Sequence, residues 1–161
     1  MLAARLPRRR AALLAALVAP LLAALPLACA RPRLTTADAD AVRREIDAMF
    51  ARSAAAWNRG DLDAFVSDYE PDAHTTYVGR SGFLHGVDAI RRAYAPRFAP
   101  GGVRDSLSFE RLEVDALARD LAWAGAYYVL SRGDSVVARG PTTLVLRRAG
   151  GRWRIIHDHS S

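Results

Sequence analysis

Two periodicities divide the chain. From Thr36 onward, Val42, Ile46, Met49, Phe50, Ser53 and Trp57 recur at helical spacing, with Asp38 and Asp40 in the opening turn and Gly60 as the stop, which predicts a long amphipathic helix. Asp61 then caps a second helix, in which Leu62, Phe65, Val66 and Tyr69 hold one face until Pro71 ends it. His74 to Val78 forms a short β-rich run, and Gly79 to Gly86 reads as turn. Val87, Ile90, Tyr94 and Phe98 mark a third helix, closed by Pro100-Gly101-Gly102. Beyond residue 103 the period falls from 3.6 to 2, with strands expected at Ser106 to Leu117, Leu121 to Ser131, Val136 to Arg148 and Arg152 to Ser160. The links between them are short enough for hairpins, so the sheet is expected to be largely antiparallel. In the first of these strands the apolar positions change parity, from Leu107 and Phe109 to Leu112 and Val114. A bulge near Glu110-Arg111, which would bend the sheet, accounts for the change.

The stretch before Thr36 follows neither period. Residues 1–10 are arginine-rich, residues 11–28 are almost purely Ala, Leu, Val and Pro, and small residues follow at Ala28-Cys29-Ala30. Residues 1–30 therefore read as an export signal, with residues 31–35 a tether to one domain over 36–161. A transmembrane helix is the alternative, but Pro20 and Pro26 interrupt the run. Cys29, the single cysteine, stands where a lipoprotein signal places the thiol that receives lipid, while Ala28 and Ala30 equally suit cleavage after Ala30. Both readings put the domain outside the cytoplasm, in the cell envelope or periplasm, and the first ties it to a membrane through a lipid.

Charge changes meaning once the signal is set aside. The formal charge is +6 over 161 residues, yet residues 31–161 carry 19 arginines against 17 acids, and lysine is absent throughout. Support for nucleic-acid binding largely disappears. A hydrophobic fraction of 51% with 25% charged residues belongs to a globular chain, and one cysteine cannot form an internal bridge.

A curved antiparallel sheet wrapped around N-terminal helices gives an α+β cone with an open mouth, a natural small-molecule pocket. Three segments then carry a resemblance: AWNRGDLDAF (Ala56 to Phe65), Gly86-Val87-Asp88-Ala89-Ile90, and the closing GRWRIIHDHSS (Gly151 to Ser161). Residues 36–161 resemble the SnoaL-like, polyketide-cyclase-type domains of the nuclear transport factor 2-like superfamily. The resemblance implies the cone fold and leaves function open, since the superfamily holds isomerases, dehydratases, cyclases, hydrolases and members without known activity. It also implies that Trp57 and Tyr77 face the pocket.

Alternation along the last strand puts His157 and His159 on one face with Trp153 and Ile155, and Asp158 on the other. If that face is concave, either imidazole can act as a general base, with an unperturbed pKa of about 6.5. The alternative is that both are structural, bonded within the sheet or across a dimer interface. A metal bound by His-x-His with His74 or His85 is a weaker alternative, so neither metal nor cofactor is expected. Phe83, Tyr94, Trp123 and Tyr128 join Trp57 and Tyr77 as candidate ligand contacts. The sequence does not say which face of the Leu121 to Ser131 strand looks inward. The preferred reading is an exported, dimeric binding or accessory domain for a small, largely apolar ligand, without turnover. The alternative is a small acid-base enzyme using a pocket histidine.

Overall fold

The computed structural model describes residues 34–161, so the expected signal segment, Cys29 and most of the tether lie outside the described residues. Thr35 opens α1 (Thr36–Arg59) with reciprocal bonds: its Oγ1 accepts from the Asp38 N–H at 3.1 Å, and Asp38 Oδ2 accepts from the Thr35 N–H at 3.0 Å. Gly60 closes α1 at φ +78°, a left-handed conformation that favours glycine. Asp61 then caps α2 (Leu62–Val66), its carboxylate accepting from the Ala64 N–H at 2.9 Å. This second helix stops well short of Pro71, because the chain unwinds to let residues 68–70 pair with the last strand.

The hairpin β1 (Thr76–Gly79) and β2 (Gly82–His85) precedes α3 (Val87–Phe98). β3 (Ser106–Ala118), β4 (Leu121–Arg132), β5 (Ser135–Ala149) and β6 (Arg152–Ser160) follow as antiparallel neighbours. The sheet order is β2-β1-β6-β5-β4-β3, and only β1 and β6 run parallel. The segment read as turn from Gly79 to Gly86 thus contains a strand. The three helices and four hairpin-linked strands otherwise lie where the two periods put them.

The concave face carries Leu107, Ala122, Ala124, Ala126, Leu144, Leu146 and Ile155, and it packs on Val42, Ile46, Met49 and Phe50 of α1. Alanines on β4 let the helix approach the sheet closely. The register between β3 and β4 slips between Glu110 and Glu113, and Arg111 adopts φ +53°, so the expected bulge is present and bends the strand. Side chains tie the end of α1 to the start of β3. Trp57 Nε1 donates to the Asp105 carbonyl at 2.8 Å, while Asn58 bonds both the N–H and the carbonyl of Leu107, at 2.7 and 3.0 Å.

Candidate functional site

A cavity of about 650 Å³ opens between the concave sheet and the helices. Its walls are aromatic because all three helices and the strands β1, β3 and β4 each contribute at least one ring. Trp57 meets Phe65 and Tyr94 edge-on at 5.3 and 6.0 Å between centroids, Tyr94 meets Tyr77 at 5.7 Å, and Phe50 meets Phe109 at 4.8 Å. Of the expected ligand contacts, Trp57, Tyr77, Tyr94 and Tyr128 line this cavity. Two do not. Phe83 alternates outward on β2, 70% exposed and stacked on His85. Trp123 lies on the opposite face of β4 from buried Ala122 and Ala124.

The last strand departs furthest from expectation. Leu146 pairs with Ile155, but the next residue of β5, Val145, pairs with His157, so Ile156 is left over as a bulge. The bulge coincides with a change of neighbour. Ile155 exchanges backbone hydrogen bonds with Asp68 and Glu70, at 2.8 and 2.9 Å, whereas His157 onward pairs with β1. Parity reverses there. Trp153 and Ile155 point inward, and beyond the bulge so do Asp158 and Ser160, leaving His157 and His159 on the outer face. The expected shared face of Trp153, Ile155, His157 and His159 is therefore corrected: the histidines are not in the cavity and Asp158 is. His157 Nδ1 instead lies 2.6 Å from Thr76 Oγ1 across the strand pair, and His159 is exposed. His74 and His85 are exposed as well, and among the described residues no group of three or more His, Cys, Asp or Glu side chains gathers as metal ligands.

Asp158 is the acid of the site. It is 5% exposed, accepts from the Tyr69 hydroxyl at 2.5 Å on Oδ2 and from Ser160 Oγ at 2.8 Å on Oδ1, and Ser160 Oγ lies 2.9 Å from Thr142 Oγ1. Burial raises its pKa above the ordinary carboxyl value, and the hydrogen bonds from Tyr69 and Ser160 only partly offset that effect. Burial also lifts Tyr69 and Tyr94 well above the ordinary phenol value, with the nearby Asp158 charge adding to it. The floor of the cavity is thus a carboxyl–phenol pair set in an aromatic wall. A carboxyl group in this setting is able to accept a proton as the carboxylate and to donate one as the acid. Tyr69 and Asp158 stand 89 residues apart in sequence, so no local spacing announces the pair.

The SnoaL-like domain family model matches residues 46–161. No curated protein matches the chain. Among solved structures, the chain is similar to an NTF-2 like protein of unknown function from Shewanella oneidensis at 28% identity, with a TM-score of 0.68 over 74% of this chain and 98% of that one. A protein of unknown function with a cystatin-like fold from Nostoc punctiforme gives 18% identity and a TM-score of 0.63, covering 80% and 92% of the two chains. An NTF2-like protein of unknown function from Pseudomonas putida gives 24% identity and a TM-score of 0.61, covering 80% and 89%. The cone, its aromatic cavity and the match across most of the described residues together place the chain in the SnoaL-like domain family of the NTF2-like superfamily.

Proposed function

We propose that the domain binds a small, largely apolar molecule in the aromatic cavity, with a polar group of that molecule against Tyr69 and Asp158, and that it does so outside the cytoplasm as a homodimer joined through the outer sheet face. The observation that carries this reading is a cavity of about 650 Å³ whose wall is built from aromatic rings and whose floor holds one buried carboxyl–phenol pair. The fold fits a ligand-binding or small enzyme-like domain.

The test is native mass spectrometry of the domain after incubation with an organic extract of its source cells. The expected result is a small-molecule adduct that is lost in Leu130→Trp, where the added ring occupies cavity volume. No adduct in the parent protein, or the same adduct in the filled variant, overturns the reading.

A second reading, acid-base catalysis, is favoured by one observation: Asp158 lines the cavity with a raised pKa. It replaces the histidine-based enzyme, since neither His157 nor His159 reaches the cavity. Under it, Asp158→Asn lowers turnover of the captured molecule at least about 100-fold while the adduct persists. Turnover unchanged by Asp158→Asn removes Asp158 as the catalytic group, and no turnover in the parent leaves binding as the whole function.

A further inference from the structure

The charges around the cavity are unequal. Among the described lining residues the Arg, His, Asp and Glu side chains are Arg80, Arg97, Arg139 and Asp158, so three guanidinium side chains face one carboxyl side chain, which is buried. Arg139 is already engaged: it donates to Glu110 at 2.8 Å and lies over the Tyr127 ring at 4.6 Å, with both partners on the outer side of the sheet. Arg80 and Arg97 have no carboxylate within ion-pair distance among the described residues. Arg80 sits in the turn between β1 and β2, and Arg97 in the last turn of α3, where its guanidinium lies 5.9 Å from the centroid of the Trp57 ring. Both residues are exposed while lining the cavity, so they stand at the boundary between the aromatic wall and water.

An apolar wall of low dielectric with free cations at its edge concentrates positive potential at the opening. A neutral apolar ligand gains nothing from that field. An amphipathic anion gains twice, because its body takes the aromatic wall while its charge stays at the wet rim, where a guanidinium offers paired N–H donors without full desolvation. Asp158 does not oppose this arrangement. Its charge is disfavoured by burial, and it is 5% exposed whereas Arg80 and Arg97 are exposed.

Resting on the cavity reading above, we propose that the ligand is an organic acid, whose apolar body enters the aromatic cavity and whose anionic group is held at the rim by Arg80 and Arg97.

Two fluorescent probes with one aromatic body separate this inference from the reading it rests on: 1-anilinonaphthalene-8-sulfonate, which carries an anion, and N-phenyl-1-naphthylamine, which does not. Both are titrated against the parent protein, the Arg80→Gln/Arg97→Gln variant and the cavity-filled Leu130→Trp variant. The expected result is that both probes bind the parent and lose binding in Leu130→Trp. The double arginine variant then weakens the sulfonate about tenfold, the size of one charge-assisted hydrogen bond, while the neutral probe is unchanged and so reports an intact fold and cavity. Raising salt should weaken the sulfonate alone. If the neutral probe binds the parent and the sulfonate affinity is the same in the arginine variant, the organic-acid proposal is overturned and the cavity reading stands. If neither probe binds the parent, or both bind Leu130→Trp as well as the parent, the cavity reading fails and the proposal falls with it.

Discussion

Asp158 is the residue on which the site turns, and its burial has a consequence for stability. Its folded pKa is raised, chiefly by desolvation, so the folded chain holds the proton more tightly than the unfolded chain does. The stabilising contribution is full below the unfolded value of about 3.9 and is lost as pH rises through the folded value. Asp158→Asn removes this dependence while keeping the local bonds, since an amide oxygen can accept from Tyr69 and the amide N–H can donate to Ser160 Oγ. Urea unfolding of both proteins across the acid-to-neutral range should show the variant gaining on the parent as pH rises. Asp68, also raised by burial, is present in both and cancels in the difference. A variant whose stability relative to the parent stays flat or falls with rising pH would mean that the hydrogen bonds match or outweigh the burial.

At the scale of elements, two bulges set the curvature and the facing of the site. In β3, Arg111 occupies φ +53°, which costs a non-glycine residue about 1–2 kcal/mol and a β-branched one more. Arg111→Val should therefore destabilise by about 1–2 kcal/mol in urea unfolding. Arg111→Gly should lie within about 1 kcal/mol of the parent, because relieved strain is offset by a more flexible unfolded chain. Equal losses for the two would place the cost in the lost arginine side chain and not in the backbone. This bulge was legible in the sequence, since Leu107 and Phe109 are strong core residues on one parity and Leu112 and Val114 on the other. The bulge at Ile156 was not, for a physical reason. After Trp153 and Ile155, the histidines at 157 and 159 continue the same spacing, and imidazole is tolerated on either face of a sheet. The adjacent pair Ile155-Ile156 was the only trace of the switch. What forces it is tertiary, the exchange of residues 68–70 for β1 along one edge of β6. β2 escaped notice similarly, because four residues from Gly82 to His85 become a strand only through pairing with β1. The aromatic wall was legible at Tyr94, which helix period puts on the apolar face, at Trp57 and Tyr77 through the resemblance to SnoaL-like domains, and half-legible on β4, where alternation separates Trp123 from Tyr128 without orienting either.

For the whole molecule, the cavity and the outer sheet face are back to back, and the residues excluded from one populate the other. On β4, Trp123 lies across Gly125 on the outer face; a Cβ at Gly125 would come within 2.7 Å of the indole. Its cross-strand neighbours continue the row through Val145 on β5 and His157 on β6 to Thr76 and His85. Such a row, aromatic at one end and half-polar at the other, suits a twofold contact in which each copy presents the same patch. Trp123 is then the residue best placed to dominate association, since large aromatic side chains carry a disproportionate share of interface energy. Light scattering of the purified domain should report a dimer, and Trp123→Glu should raise the dissociation constant at least about 30-fold, toward monomer at micromolar concentration. Because the indole points away from the cavity, the same variant should bind N-phenyl-1-naphthylamine as the parent does, which separates lost association from lost folding. A parent protein that is monomeric at high concentration, or a Trp123→Glu variant that remains dimeric, would leave the outer face solvent-facing and His157 and His159 as side chains of the sheet alone.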